Sequence, residues 1–130
     1  AQIEANLLTD KVIIKNEFIA DADLRKYFGA ADLIVQPYKT ATQSGVTQVA
    51  FHFEKPCLVT NVGGLGEIIH HRKMGYAVGP QSDAIADALT DYCENNRQEA
   101  FTKYLIKEKE LYGWDIMAQA FYRILLHIEK

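Results

Sequence analysis

Short aliphatic runs alternate along this chain with longer stretches whose apolar residues recur at helical spacing. That alternation constrains the fold more than any other feature. The runs are Val12-Ile13-Ile14, Leu33-Ile34-Val35, Cys57-Leu58-Val59-Thr60 and Tyr76-Ala77-Val78. Continuous apolar runs of this length are the signature of strands covered on both faces, and such strands belong to parallel sheets flanked by helices. The expected architecture is therefore α/β: a doubly wound parallel sheet of about four strands with flanking helices.

The intervening stretches supply the helices. Asp21 and Asp23 are placed to cap a helix carrying Leu24, Tyr27 and Phe28 on one face. Pro37 stops the second run, because proline cannot donate to a central ladder. A polar turn, Lys39 to Gly45, then leads into a helix through Val46, Val49, Ala50 and Phe53, which Pro56 ends. Gly63-Gly64-Leu65-Gly66 opens a short helix with Glu67, Ile68 and Ile69. Beyond the fourth run, Ser82 and Asp83 precede a stripe of Ile85, Leu89 and Tyr92. A second stripe runs through Phe101, Tyr104, Leu105 and Leu111 to Gly113, and a third through Trp114, Met117, Phe121, Leu125 and Ile128.

Length and composition narrow the class. At 130 residues the chain is one domain's worth, and 48% hydrophobic with 24% charged residues is globular composition. No apolar run approaches the ~20 residues needed to span a bilayer. A net charge of −3 supplies no basic field for nucleic acid. Cys57 and Cys93 sit among apolar neighbours in the sequence and form no close-spaced pair, so both read as reduced core thiols. With no signal-like segment, the expected location is cytoplasmic.

In folds of this class ligands bind beyond the carboxyl ends of the strands, where loops enter helices. Three loops qualify: Asn16 to Asp21, Gln36 to Gly45 and Asn61 to Glu67. The second carries the strongest signal. At Ser44-Gly45-Val46 the N–H groups of a helix start, together with the positive end of its dipole, suit a phosphate. Capping alone also accounts for Thr42 and Ser44. In the third loop, glycines let a backbone approach closely, and Glu67 either accepts from a sugar hydroxyl or stabilises its own helix start. His70 and His71 face different ways on a helix and read as its solvated end. His52 reads as a packing residue, and Lys107-Glu108-Lys109-Glu110 as a solvated face. No nucleophile–base arrangement and no acidic metal cluster stand out by spacing.

Five ordered motifs together carry a family resemblance. They are Ala31-Asp32-Leu33-Ile34-Val35-Gln36-Pro37-Tyr38, Gln43-Ser44-Gly45-Val46, Glu54-Lys55-Pro56-Cys57, Val62-Gly63-Gly64-Leu65-Gly66-Glu67 and Gly75-Tyr76-Ala77-Val78. Over roughly residues 10 to 95 the chain resembles the C-terminal, donor-binding half of GT-B-fold glycosyltransferases of the retaining family 4 group. The resemblance implies a truncated, Rossmann-like domain over residues 1–130. Its first strands, with their Arg and Lys for the diphosphate, and the acceptor-binding half would lie outside the chain.

It further implies a nucleotide diphosphate-sugar as donor and a saccharide or lipid-linked acceptor. The Phe18-Ile19 segment would lie near the base, and the Ser44-Gly45-Val46 helix start would meet the diphosphate or sugar. Asn16, Pro37, Tyr38, Thr42, Gln43 and Glu67 complete the expected donor-binding set. No metal is implied, since members of this group stabilise the leaving diphosphate with helix dipoles and basic side chains. Two glutamates usual in the group have their places at Ala41 and Val49, with Gln43 and Gln48 nearby. A non-catalytic binding domain on the same fold, or part of a sugar-nucleotide epimerase, are the alternatives. A phospho-receiver domain is disfavoured, because Asn61 and Gln36 stand where its strand-end acids belong. The missing sheet edge leads us to expect self-association.

Overall fold

The computed structural model describes residues 2–111, 116, 118–120, 122 and 123. A short helix α1 (Gln2–Ala5) and an irregular segment precede helix α2 (Asp21–Ala30). Then follow β1 (Ile34–Gln36), α3 (Gly45–His52), β2 (Cys57–Thr60), α4 (Leu65–Ile68), β3 (Gly75–Val78), α5 (Ser82–Glu94) and α6 (Arg97–Leu111). The three strands form one parallel sheet in the order β1-β2-β3. Ile34 pairs with Cys57, and Cys57 with Gly75.

The α/β parallel class holds, with β2 at its centre. Alternate side chains of a strand point to opposite faces. Cys57 and Val59 accordingly enter one core cluster with Phe28, Ala50, Leu65 and Ile69. Leu58 enters the other, with Tyr76, Ala88, Tyr92 and Phe101. All four residues of β2 are buried, which is why its run shows no polar alternation. Around Tyr76 the rings of Tyr92 and Phe101 meet edge to face, with centroids 6.4 and 5.2 Å away.

Several expectations change. Val12-Ile13-Ile14 is not a strand: it lies in the irregular segment with relative exposures of 39, 87 and 64%. The sheet therefore has three strands, not about four. An apolar run becomes a strand only where a neighbour takes its backbone groups, and among the described residues none pairs with this one. The second run shifts by one residue, so that β1 ends on the buried Gln36 while Val35 is partly exposed.

Helix starts differ too. Asp21 and Asp23 sit inside the first turn of α2 behind Ala20, with no side-chain cap; there they favour the helix dipole, and Asp23 meets Lys26 at 2.7 Å. Ser82 is likewise within α5, behind an N-cap at Gln81 that makes no cap bond. Tyr27 and Leu111 are exposed, so each expected stripe is narrower than drawn. Cys57 is buried but Cys93 is exposed, because it falls on the outer face of α5 opposite Ala88 and Tyr92. Gly113 and the stripe residues Trp114, Met117, Phe121, Leu125 and Ile128 lie outside the described residues.

The return from α3 to β2 is sharp. Glu54 adopts φ +58° at the end of the helix, and Lys55 N–H reaches back to Ala50 O at 2.8 Å. That is a Schellman-type stop with glutamate in the position glycine usually takes. Pro56 follows and β2 begins.

Candidate functional site

The carboxyl ends of β1 and β2 are tied together directly. Thr60, the last residue of β2, donates its hydroxyl to Tyr38 O at 2.6 Å. The loop after β1 then meets the loop after β2, where Gly64 N–H donates to Thr42 O at 2.9 Å. Gly63 makes this approach possible in two ways. Its φ is +53°, and a Cβ there would strike the Ala41 carbonyl group. Gly64 is close-packed as well, since a Cβ would lie 2.8 Å from Thr42 O, whereas Gly66 faces only the Asn61 side chain within its own loop. Gly63 and Gly64 thus serve backbone-to-backbone approach between two loops, a purpose the sequence left open.

This junction surrounds the start of α3. Ser44 is the N-cap, in extended conformation, and its Oγ accepts from Val46 N–H at 3.2 Å. Gly45 has open space where a Cβ would stand. Gln43 Cγ and Glu67 Oε2 lie 3.8 and 4.0 Å from the Cβ position of Gly64. Thr42, Gln43, Ser44, Gly45, Val46 and Glu67 therefore border one notch, with Pro37 and Tyr38 in the loop that follows β1. The end of β1 and the first turn of α3 are linked in the interior: Gln36 Nε2 donates to Thr47 Oγ1 at 3.0 Å, the two residues being 3 and 1% exposed. Chemically, the notch offers a capped helix start, a hydroxyl, an amide and one carboxylate.

Asn16, Phe18 and Ile19 are placed differently. They lie on the irregular segment before α2, where Phe18 is 91% exposed and Ile19 half-buried, and none joins either core cluster.

Beside the notch, along α3, α4 and α6, runs a cavity of about 750 Å³. Glu67 lines it together with Gln48, Phe51, His70, Met74 and Glu108. His70 is more than a solvated helix end, since its Nδ1 lies 3.1 Å from the Tyr104 hydroxyl and 3.8 Å from Glu108 Oε1. Glu108 and Lys109 also depart from a solvated face. Lys109 Nζ donates to His52 O at 3.0 Å and to Glu54 Oε1 at 3.2 Å, tying α6 to the end of α3. His52 is exposed and packs only edge-on against Phe53, at 5.1 Å. Residues brought together from 34 or more positions apart leave no local signal in sequence.

Burial pushes the Cys57 thiol up to about 12, opposed in part by the Gln36 amide beside it. On the other face, hydrogen bonds from Arg97 and Tyr76 hold Asp91 down to about 2. Among the described residues, no group of three or more His, Cys, Asp or Glu side chains is gathered to hold a metal ion. Nor is any described helix long and apolar enough to cross a membrane.

Comparison with known proteins places this geometry. Curated protein sequences give no match. Among solved structures, sucrose-phosphate synthase from Thermosynechococcus elongatus superposes with a TM-score of 0.75 at 22% identity, over 98% of this chain and 33% of that one. Anabaena HepE, solved in complex with UDP, gives 0.72 at 20% identity, over 97% of this chain and 35% of its own. The C-terminal domain of the glycosyl transferase group 1 family protein LpcC from Francisella tularensis gives 0.71 at 19%, over 84% and 58%. At these identities the likeness is one of fold, and the chain spans about a third of the length of the first two. The sequence profile of the family described as glycosyl transferases group 1 matches residues 1–95, most of the chain. With the five motifs, the parallel sheet and the glycine-built loop junction in agreement, the chain belongs to the glycosyl transferases group 1 family.

Proposed function

We propose that this chain is the donor-holding part of a glycosyltransferase. Its parent would move a sugar from a nucleotide diphosphate-sugar to a saccharide or lipid-linked acceptor, with retention. One observation carries the reading: the loops after β1 and β2 are joined through Gly63 and Gly64 around the Ser44-capped start of α3. An anion placed there faces first-turn N–H groups and the positive end of the helix dipole. HepE, of the same fold, was solved with UDP. Gln43 and Glu67 flank the notch and would take sugar hydroxyls, while Asn16, Phe18 and Ile19 would reach the base.

The earlier strands, their basic residues and the acceptor site would come from further polypeptide. Residues 1–130 alone would therefore bind without turning over, since transfer needs both reactants held in one crevice. The leaving diphosphate would be stabilised by the helix start and basic side chains, with no metal required, in a cytoplasmic enzyme. Among the described residues β1 pairs with β2 alone, and Val35, Ile13 and Phe18 are exposed, so self-association is expected. A monodisperse monomer in sedimentation would count against that.

The test is an amide-shift titration of the chain with UDP, GDP and their sugars, with and without EDTA. Shifts centred on Thr42 to Val46 and Asn61 to Glu67, unchanged by EDTA, support the reading; no shift in this region sinks it. A second reading is favoured by Ala41 and Val49, which stand where the resemblance places two glutamates. On that reading the domain binds a sugar nucleotide without catalysis, or serves an epimerase. Product analysis of the longer polypeptide separates the three.

A further inference from the structure

The buried contact between β1 and α3 is a feature that the donor reading does not use. Gln36 ends β1 and pairs with Val59 of β2 in the ladder. Thr47 is the third residue of α3. Their side chains face each other in the interior: Gln36 Nε2 donates to Thr47 Oγ1 at 3.0 Å, and the Thr47 hydroxyl faces Gln36 Oε1 at 3.4 Å. An amide and a hydroxyl at this depth are costly to desolvate, and an apolar pair of the same shape would fill the space as well. What a reciprocal polar pair adds is direction, because both contacts form in only one placement of helix against strand.

That direction matters where the pair sits. Between Gln36 and Thr47 runs the loop 37–44, largely exposed and held by Thr60 at Tyr38 O and by Gly64 at Thr42 O. Both ties restrain the loop, and neither touches the helix. The Gln36–Thr47 pair joins the strand end to the first helical turn itself, within one residue of Val46 N–H and its Ser44 cap.

We propose that Gln36 is a positioning residue: acting through Thr47, it fixes the first turn of α3 against the carboxyl end of β1 and so sets where the Ser44-to-Val46 groups face a diphosphate. The ligand rests on the donor reading; the mechanical part does not.

The test uses the full chain and the variants Gln36→Met, Thr47→Val and the double Gln36→Met/Thr47→Val. Each single variant strands one buried polar group and lowers the unfolding midpoint. The double variant removes both and restores most of the loss. Two further readouts go beyond stability. Amide exchange at Gln48 and Val49, which close the first turn onto the Ser44 and Gly45 carbonyls by the helical rule, should quicken in the double variant by about fivefold to tenfold, the equivalent of one net hydrogen bond. Exchange at Leu58 and Val59 of β2 should not change. UDP affinity should fall by a similar factor, and Thr47→Ser, which keeps the hydroxyl, should retain both properties.

Unchanged exchange at Gln48 and Val49 in the double variant overturns the proposal. So does quickened exchange with undiminished affinity in a chain that binds UDP. If the parent chain does not bind UDP at all, the donor reading falls, and the exchange data alone uphold or overturn the positioning role. If the double variant does not fold, the contrast of Thr47→Val with Thr47→Ser supplies the same comparison.

Discussion

Gly63→Ala probes the junction between the loops after β1 and β2. Two costs can be worked from the structure. The first is conformational: φ at Gly63 is +53°, and an L-residue in the left-handed region costs about 1–2 kcal/mol. The second is steric. An alanine Cβ would lie 2.8 Å from the Ala41 carbonyl carbon and closer still to its oxygen. The oxygen is the tighter contact and needs at least ~3 Å, so the loops must part by more than ~1 Å. Both atoms are backbone, so no side chain can swing away. The same parting carries the Gly64–Thr42 hydrogen bond from 2.9 Å well past bonding range. Losing it adds about 1 kcal/mol, for a total near 2–3 kcal/mol.

Gly45→Ala is the matched control. It has open space at its Cβ, has no positive φ, and begins a helix. Restricting the unfolded chain there should leave stability unchanged or raise it by up to about 1 kcal/mol. Urea unfolding followed by circular dichroism measures both variants, and amide shifts at Thr42 and Gly64 report the loop junction. A Gly63→Ala protein within about 0.5 kcal/mol of the parent, with those shifts unmoved, would refute the reasoning, since surface substitutions free of such constraints fall in that range.

Two other outcomes follow from the titration shifts. Asp91 is held at about 2 by Arg97 and Tyr76, below its ordinary value, so its charged form stabilises the fold above pH ~4 and that contribution is lost as pH falls from ~4 through ~2. Asp91→Asn should flatten acid unfolding in that window, and an unchanged acid profile would count against the Arg97–Asp91–Tyr76 network. Cys57 is buried with its thiol pushed to about 12, while Cys93 is exposed. An aromatic disulfide reagent at pH 8 should therefore titrate one thiol in the native chain and the second only after unfolding; rapid reaction of both would contradict the packing around β2.

Particular elements show what was legible in the sequence and what was not. The run Cys57 to Thr60 announces itself as a buried central strand because both faces of a parallel sheet demand apolar residues, and β2 has them. Ser44 reads as a cap because a short hydroxyl before a helix satisfies a local N–H, and it does so here at 3.2 Å. By the same local logic Val12 to Ile14 reads as a strand, and the structure leaves it exposed. Strand identity depends on a partner that may be anywhere in the chain.

The sequence alone therefore determined the α/β class and the family, both of which rest on local periodicity and ordered motifs. Tertiary structure decided the rest. It showed that Gly63 and Gly64 serve the meeting of two loops, that Gln36 seats on Thr47, that His70 meets Tyr104 and Glu108, and that only one of the two cysteines is a core residue. Each of these depends on residues from separate elements meeting in space, and helical or strand periodicity carries no record of that distance.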